Sequence, residues 1–406
     1  MAISASDQSD QQQTTRSGRS AVLGAIFLMA TAAIGPGFIT QTATYTVTLG
    51  AAFACAIVLS VLVDVAVQLN VWRVIGVAGR RAHELGNDVL PGVGYLLAVL
   101  VVVGGLVFNI GNVAGTGLGT DAMLGLDPRL GGALSAALAI AIFLSKRAGL
   151  ALDRVVIVLG LVMIVATLAI AITSDPPVGD ALKNVVAPKE FDFVAVTTII
   201  GGTVGGYITY AGAHRLLDSG TTGAEHVRDI SRSSVTGVLL TGAMRALLFL
   251  AILGVVAGGA TLATDDPAGS AFQEAAGDAG LRVFGLILWA AAITSVIGAA
   301  YTSVSFMTST KTSDRRRNLL TVAFIVLSTG IFLVIEEAPV TLLVFAGTFN
   351  GLILPIGFGV LLWIAWRRRD LLQGYRYPRW LAAIGTIAWL STLYIGYQAI
   401  LDLGSL

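Results

Sequence analysis

The sequence predicts an all-α membrane protein of 11 transmembrane helices, built as two inverted five-helix repeats plus one extra helix. Three observations predict this fold class. Hydrophobic residues make up 55% of the chain and charged residues only 12%, about half the charge of an average soluble domain. Apolar runs recur along the chain, each about as long as a membrane crossing requires. The first and the sixth of these runs are interrupted near their middle by glycine-rich motifs.

The composition also excludes several functions. The 25 basic and 24 acidic residues nearly cancel, which gives no indication of a nucleic-acid partner. The single cysteine, Cys55, cannot form an intrachain disulfide, and no cluster of Cys and His predicts a bound metal or cofactor. No Gly-x-x-x-x-Gly-Lys motif is present, so an ATP-driven pump is not expected. An enzyme is not expected either, because no nucleophile, base and orienting group occur as a set.

The first 19 residues are rich in Ser, Gln and Thr and are expected to form a disordered cytoplasmic tail at 1–19. A secretory signal peptide is the alternative for the first apolar run, because Ala-Thr-Ala-Ala at 30–33 mimics a cleavage site. The run is too long for a signal peptide, and further runs follow it. The runs cover residues 20–48, 50–74, 91–118, 130–146, 152–173, 193–216, 233–258, 281–309, 318–336, 339–366 and 380–402.

The distribution of Lys and Arg predicts the orientation of these helices. If the N-terminus is cytoplasmic, nearly all basic loop residues fall on the cytoplasmic side and only a few fall outside. Membrane proteins show this excess on the cytoplasmic side. The sequence therefore predicts a multi-pass protein of a bacterial-type cytoplasmic (inner) membrane, with its N-terminus inside and its C-terminus outside.

Two apolar runs are expected to be discontinuous helices. The first carries Gly-Pro-Gly at 35–37, and the sixth carries Gly-Gly-Thr-Val-Gly-Gly at 201–206. Proline removes a backbone donor, and glycine lets the chain leave the helical conformation. Unwound backbone at membrane depth is tolerated where it lines a cavity, and in transporters such breaks form the binding site. The alternative is that the glycines only allow close helix packing.

The matched positions of the two breaks predict the domain organisation. Residues 20–173 form the first five-helix repeat and residues 193–366 form the second. Because each repeat has an odd number of helices, the second lies inverted relative to the first. Residues 380–402 form the additional helix 11.

These motifs resemble the NRAMP family of proton-coupled divalent-metal transporters, which have the LeuT-like fold of the amino acid–polyamine–organocation superfamily. In metal-transporting members the first helix carries Asp-Pro-Gly-Asn and the sixth carries Met-Pro-His, and four of these side chains hold the metal. Here the motifs read Gly-Pro-Gly-Phe at 35–38 and Gly-Gly-Tyr at 205–207. Asn109 and Asn112 stand where the family has an acidic pair on its proton route.

The chain therefore resembles a divergent NRAMP-like branch that lacks the metal ligands. Some bacterial members of that branch are encoded beside 5-oxoprolinase subunits, which implies an organic substrate such as 5-oxoproline or a similar cyclic or amino acid. The residues independently favour the same conclusion, because divalent metals need oxygen, nitrogen or sulfur ligands and neither motif supplies a carboxylate, His, Cys or Met. Transport of a divalent metal (Mn or Mg) by a rearranged site is the alternative.

Each break leaves free backbone amides at the start of an outgoing half-helix, and such helix ends favour anions. The predicted substrate is therefore a small organic carboxylate, held by a few polar groups between aromatic walls. An interfacial or packing role is the alternative for the tyrosines. The predicted substrate-binding residues are Gly35, Gly37, Phe38, Gln41, Asn109, Asn112, Gly205, Gly206, Tyr207 and Tyr210.

Five polar residues inside the apolar runs are candidates for ion coupling. Asp64 could carry a proton or form a structural pair near the cytoplasmic end of its helix. Arg245 is expected first to pair with Asp64, and otherwise to bind backbone carbonyls or guide an anionic substrate. His214 is expected to be solvated, with pH sensing as the alternative. Thr302 and Ser303 could bind sodium together with first-run carbonyls, or bond only to their own helix.

Together these features predict a secondary active transporter that moves a small molecule with H+ or Na+ by alternating access. The bundle that contains the first and sixth helices would move against the rest. A channel or a non-transporting sensor is disfavoured, because the sequence has no long soluble domain and no ring of like charges. The expected partners are the substrate, the coupling ion and the lipid bilayer.

Overall fold

The structure is a computed structural model that describes residues 33–308, 312–335 and 337–404. Regular structure in these ranges is helical throughout. The predicted tail at 1–19 and the first part of the first span lie outside the described residues. The helices are α1 Pro36–Leu49, α2 Phe53–Ala78, α3 Ala82–Val89, α4 Val93–Leu124, α5 Pro128–Leu144, α6 Lys146–Thr173, α7 Val178–Val186, α8 Phe193–Val204, α9 Ile208–Asp218, α10 Val227–Ala257, α11 Pro267–Met307, α12 Asp314–Val334, α13 Pro339–Arg367 and α14 Arg379–Gly404.

Within the described ranges, 8 helical stretches are long and apolar enough to cross a membrane, or 9 if the bent pair α6–α7 counts as one span. α1 and α2 pass as a single stretch because only the 3-10 turn Gly50–Ala52 separates them. α5 is shorter, with 17 residues, and α6 and α7 meet at 102°. The prediction of an all-helical, multi-pass membrane protein is confirmed. The number of 11 spans and the boundaries of the two repeats stay predictions.

The sixth predicted span is broken, but over a shorter segment than the sequence predicts. α8 ends at Val204 and α9 begins at Ile208, so only Gly205, Gly206 and Tyr207 lie between them. Gly205 is extended, and Gly206 has φ +52, in the left-handed region that favours glycine. Residues 201–204 stay helical. A Cβ at Gly201 would collide with the backbone of α13, so this part of the motif serves close packing.

The first span begins its outgoing half at Pro36. Ile34 and Gly35 are not helical, and Gly35 is extended with φ −97 and ψ −173. Proline suits the first position of a helix because its missing N–H has no partner there in any helix. α1 then runs to Leu49, where Gly50 with φ +53 ends it. Both predicted motifs therefore precede a helix that starts inside the apolar region.

The broken sixth span is the innermost element of the bundle. In the stretch Phe193–Asp218, 89% of the apolar window is buried, against 33% for Arg379–Asp402 and 28% for Asp314–Val334. α8 packs against α13, α14 and α2, and α4 packs most extensively against α11. α11 itself is interrupted at Ala276 and Gly277, so its first part is a separate short arm. The bundle therefore surrounds the break between α8 and α9.

Candidate functional site

Both glycine-rich motifs face the same helix, α4. Pro36 packs against Gly115, where a Cβ would collide with the proline ring. One turn earlier on α4, Asn112 lies next to the side chain of Tyr207. The ring of Phe108 meets Tyr207 edge-on, with the ring centroids 5.6 Å apart. α4 therefore brings the start of α1 and the break of the sixth span together.

A group of neutral polar side chains surrounds this break, and we call it the Tyr207 cluster. It consists of Tyr207, Asn109, Asn112, Ser303 and Asn350, each of them at most 3% exposed. These residues come from the break itself and from α4, α11 and α13. The cluster includes two predicted substrate-binding asparagines and one predicted sodium ligand.

Several bonds fix the side chains of this cluster in place. Asn109 Nδ2 donates a hydrogen bond to Ser328 Oγ at 2.9 Å. Asn350 Nδ2 donates to the carbonyls of Gly104, at 3.0 Å, and Ala346, at 2.9 Å. Asn350 therefore ties α13 to α4 beside the break. Asn350 is not among the predicted site residues, although an isolated Asn in a long apolar run is costly unless it is paired.

Four polar atoms of the Tyr207 cluster have no hydrogen-bond partner among the described residues: Asn109 Oδ1, Asn112 Nδ2, Ser303 Oγ and Asn350 Oδ1. Glycines make room for two of them, because a Cβ at Gly206 would collide with Asn350 and one at Gly105 with Ser303. Unpaired buried polar atoms are costly unless water or a ligand satisfies them. The cluster can therefore offer neutral donors and acceptors to a small polar molecule.

A second, charged group lies at the start of α1, and we call it the Arg245 cluster. It consists of Arg245, Asp64, Thr203 and Phe38, each at most 2% exposed. Arg245 Nη1 donates to the carbonyl of Ile199 at 3.1 Å, and its guanidinium lies 4.5 Å from the centroid of the Phe38 ring. Asp64 lies next to the Thr203 side chain and attracts Arg245 electrostatically.

The expected ion pair between Arg245 and Asp64 is not formed directly among the described residues. Instead, a backbone carbonyl and an aromatic face hold the arginine. Asp64 also lies in the middle of α2 rather than toward its cytoplasmic end, so the predicted structural pair near that end is wrong. Arg245 Nε, Arg245 Nη2 and Asp64 Oδ1 have no partner in the described part of the chain.

Gln41 connects the first and sixth spans. Its Nε2 donates to the carbonyl of Leu343 at 2.9 Å and lies 3.3 Å from the position of a Cβ on Gly37. Gly202 and Gly347 leave room for the same side chain. Gln41 Oε1 has no partner within the described ranges. Gln41 therefore braces α1 against α8 and α13, a contact that the sequence could not reveal.

Two predicted residues lie further along α9. Tyr210 and His214 pack around Phe306, with ring centroids 5.1 and 4.9 Å from it. His214 Nδ1 shares a hydrogen bond with Ser305 Oγ at 3.1 Å, and the histidine is only 4% exposed. The prediction of a solvated histidine is therefore wrong, because α11 covers it. Tyr207 and Tyr210 are both buried, so the interfacial alternative for the tyrosines is also wrong, whereas the packing alternative stays open.

The predicted sodium pair is divided between two environments. Ser303 Oγ points at Gly105 of α4, within the Tyr207 cluster. Thr302 is buried, and its carbonyl accepts a hydrogen bond from Ser305 Oγ at 2.6 Å. A sodium site at these residues stays a prediction.

In the described ranges, no three His, Cys, Asp or Glu side chains lie close enough together to hold a metal ion. The carboxylate beside the two breaks is Asp64, and Arg245 is its electrostatic partner. The positive charge of the Arg245 guanidinium would repel a metal cation bound beside it. The donor set in the described part of the chain therefore suits an anion better than a divalent metal.

The end of the bundle that the sequence predicts to be cytoplasmic is closed by Arg81, which is 4% exposed. Arg81 Nη1 donates to the carbonyls of Ser305, at 2.5 Å, and Thr308, at 3.1 Å. Its Nη2 lies 3.5 Å from Asp218 Oδ1 at the end of α9. One side chain thus ties the start of α3 to the ends of α9 and α11.

Two interrupted helices that meet at buried polar groups inside an apolar bundle define a membrane transporter with a LeuT-like fold. The structure is similar to the manganese transporter of Eremococcus coleocola, with a TM-score of 0.73 and 17% identity over 93% of this chain and 85% of that one. It is also similar to MhsT, solved in complex with L-phenylalanine, with a TM-score of 0.62 and 18% identity over 94% of this chain and 97% of that one. At sequence identities of 17% and 18%, these structural similarities establish a shared fold.

The chain belongs to the Nramp (natural resistance-associated macrophage protein-like) family, whose sequence profile matches residues 26–402. It is 49% identical over 384 residues to the uncharacterized membrane protein YcsG of Bacillus subtilis, covering 93% of this chain and 94% of that one. It is 50% identical over 368 residues to an uncharacterized membrane protein of Haemophilus influenzae, covering 90% and 92%. The family resemblance predicted from the sequence is confirmed.

Proposed function

We propose that this transporter moves a small organic carboxylate, such as 5-oxoproline or another cyclic or amino acid, with H+ or Na+ by alternating access. The observation that carries the proposal is Arg245, a fully buried guanidinium with Nε and Nη2 unpaired among the described residues. An uncompensated charge inside a membrane costs several kcal/mol. A substrate carboxylate would satisfy both free donors through the two-pronged geometry that guanidinium groups favour.

The Tyr207 cluster supports recognition of the rest of such a substrate. It presents an amide donor, Asn112 Nδ2, and three oxygen acceptors without a partner in the described residues. Ring amides, hydroxyls or amino groups of a small metabolite could bond to these atoms. Phe38 and Phe108 add aromatic surface at the two clusters. Few polar groups between apolar walls are typical of small-molecule sites.

Asp64 supports proton coupling, because it is a buried carboxyl group whose Oδ1 has no hydrogen-bond partner among the described residues. The Thr203 hydroxyl next to it donates its one proton to the Ile199 carbonyl at 2.7 Å, so it does not compensate an ionised carboxylate there. A protonated Asp64 leaves Arg245 free for a substrate anion. An ionised Asp64 competes with that anion for the guanidinium. The substrate and one proton would thus bind together and leave together.

Arg81 supports alternating access. The site residues are buried, so a substrate reaches them only after a movement, and the contacts of Arg81 with Asp218 and α11 close the predicted cytoplasmic end. Opening that end would release α9, the mobile half of the sixth span in this proposal. Location in a bacterial-type cytoplasmic membrane, with the N-terminus inside, belongs to the same proposal.

The fold relatives bind different substrates, and a manganese or magnesium transporter is the second candidate. The Eremococcus coleocola relative is a manganese transporter, whereas MhsT was solved with L-phenylalanine. In this chain Asp64 would have to provide the metal carboxylate next to Arg245. The charge of Arg245 favours the organic anion.

Thermal unfolding of the purified protein tests the two candidates directly. The midpoint is measured with Mn²⁺, Mg²⁺, 5-oxoproline and a panel of amino and keto acids, because a ligand that binds only the folded state raises it. We expect one of the carboxylates to raise the thermal midpoint of the wild type in a saturable way. Arg245→Gln should abolish this rise, whereas the control Arg228→Gln, which replaces an exposed arginine, should keep it. A saturable rise with Mn²⁺ alone, abolished by Asp64→Asn, would establish the metal function instead.

A further inference from the structure

A cavity lies away from the two helix breaks, where α13 ends and α14 begins. It has a volume of about 530 Å³. α13 ends at Arg367 and α14 begins at Arg379, so the cavity lies at the boundary between the apolar helices and a surface loop. We call it the arginine cavity. It is lined mainly by Trp363, Trp366, Arg367, Arg369, Tyr377 and Arg379.

The arginine cavity is strongly basic. Its three guanidinium groups, those of Arg367, Arg369 and Arg379, form no ion pair with any described residue. The neighbouring Arg368 differs, because Asp370 pairs with it at 2.8 Å. None of the residues that line the cavity is acidic. Three unpaired arginines around one concave space attract an anion, and a phosphodiester fits their planar donors.

An apolar groove adjoins this cavity and shares Trp363 with it. The groove has a volume of about 390 Å³. From Pro355 to Trp363 it follows α13 for about 12 Å, at the rise of an α-helix, and it runs away from Arg367 toward the middle of the span. Its other lining residues are Val89, Leu90, Val93, Ile356, Gly359, Val360, Trp389 and Leu393.

The side chains at this place also have the character of a membrane surface. Trp363 and Trp366 are 54% and 44% exposed, and Trp380 on the next helix is 62% exposed. Trp366 Nε1 donates to Thr386 Oγ1 at 3.0 Å, which fixes the indole between α13 and α14. Exposed tryptophans collect at the level of the lipid headgroups. The predicted orientation places this surface in the cytoplasmic leaflet.

We propose that the arginine cavity and the adjoining groove form a binding site for one anionic phospholipid. The three arginines hold the headgroup phosphodiester, and the groove along α13 holds an acyl chain. A basic pocket between membrane helices is the arrangement that binds anionic headgroups. Free phosphate would also meet the arginines, but it would leave the groove unused. The site is independent of the transported substrate.

Titration of the purified full-length protein with short-chain phosphatidylglycerol tests this site, with the thermal midpoint and native mass spectrometry as readouts. Phosphatidylcholine of the same chain length lacks the net charge, and inorganic phosphate lacks the chain. We expect one phosphatidylglycerol to bind and raise the midpoint. We expect phosphatidylcholine to bind far more weakly, and phosphate to bind without the added affinity of the chain.

A triple variant, Arg367→Gln with Arg369→Gln and Arg379→Gln, should weaken phosphatidylglycerol binding on the order of 100-fold, about fivefold for each charge. The matched control removes three exposed arginines elsewhere, Arg228→Gln, Arg315→Gln and Arg316→Gln, and should bind as the wild type does.

Equal weakening in both triple variants would show a non-specific charge effect and overturn the proposal. Equal affinity of the wild type for phosphate and for phosphatidylglycerol would show a free-phosphate site instead. Equal affinity for phosphatidylcholine and for phosphatidylglycerol would show an apolar surface that does not select the headgroup. If the site variant does not fold, these comparisons between ligands on the wild type still decide.

Discussion

The two clusters at the broken helices are equally buried but differ in charge. The Arg245 cluster contains a guanidinium and a carboxyl group beside the start of α1, whereas the Tyr207 cluster consists of hydroxyl and amide groups beside the break of the sixth span. Both have polar atoms without partners among the described residues. The charged cluster can bind an anion or exchange a proton. The neutral cluster can only discriminate between substrates by their shape and their hydrogen-bonding groups.

This difference separates two tasks of a coupled transporter. Binding energy and ion coupling would depend on Arg245 and Asp64, and discrimination between substrates on Tyr207 and the asparagines. Removal of a buried charge changes the free energy by more than removal of a neutral hydrogen bond. Variants of the Arg245 cluster should therefore lower transport more than variants of the Tyr207 cluster. The two sets should also differ in whether kcat or KM changes.

The largest effect is expected for Arg245→Gln. The substitution removes the proposed partner of the substrate carboxylate, and loss of one member of a buried charge pair costs about 3–5 kcal/mol. Uptake into proteoliposomes, measured with the carboxylate that stabilises the wild type, should fall at least about 100-fold in kcat/KM. Arg245→Lys keeps the charge without the planar donors and should retain part of the activity. Uptake by Arg245→Gln at the wild-type rate would contradict the assignment.

Gly206→Ala should have the next largest effect, on stability. Gly206 has φ +52, which costs a residue with a Cβ about 1–2 kcal/mol, and the Cβ would also collide with Asn350. We expect the free energy of unfolding to fall by at least about 2 kcal/mol, measured as a lower thermal midpoint. Gly298→Ala is the matched control, because α11 is regular there and nothing lies near the new methyl group. Equal midpoints for the two variants would show that the break tolerates a side chain.

How far the sequence predicts this site depends on which feature is considered. Gly-Pro-Gly and Gly-Gly-Tyr revealed the breaks, because an unwound backbone needs particular residues and so marks the sequence. The proximity of Thr203 to Asp64, and the pairing of Asn350 with Gly104, depend on the rotation of each helix in the bundle. Helices that are apolar all round carry no periodic pattern from which that rotation could be inferred.

The same limit explains the wrong predictions. His214 is a polar residue near the end of a predicted span, where such residues are usually solvated. Only the packing of α11 against α9 shows that it is buried. The expected pairing of Arg245 with Asp64 followed from charge alone. It did not foresee that α8 would offer a backbone carbonyl to Arg245.

A smaller effect is expected for Tyr207→Phe, which removes one neutral hydroxyl group from the Tyr207 cluster. The substrate then loses one neutral hydrogen-bonding group next to Asn112, at a cost of about 1 kcal/mol, so KM should rise roughly fivefold with kcat nearly unchanged. Tyr397→Phe removes a hydroxyl from an exposed tyrosine of α14 and should leave KM unchanged. A fall in kcat as large as that of Arg245→Gln would erase the proposed division of tasks.

The smallest effect concerns pH, and it tests whether a pH dependence of uptake belongs to the Arg245 cluster. Asp266 caps α11 by accepting a hydrogen bond from Gly269 N at 2.9 Å, and it lies outside the spanning segments. Burial raises the pKa of Asp266 to about 6, with a further contribution from the neighbouring Asp265 and Asp121. The folded protein therefore takes up this proton at a higher pH than the unfolded chain does.

Because folding raises the pKa of Asp266 from its ordinary value of 3.8 to about 6, the free energy of unfolding should rise as the pH falls from about 6 to about 4. Asp266→Asn keeps a good helix cap without the charge, so it should remove this rise and stabilise the protein at pH 7.5 by about 1 kcal/mol. Asp127→Asn, at the exposed cap of α5, controls for the cap itself. The pH profile of uptake should survive Asp266→Asn and flatten in Asp64→Asn. If Asp266→Asn flattens it instead, the pH response comes from folding and not from the charged cluster.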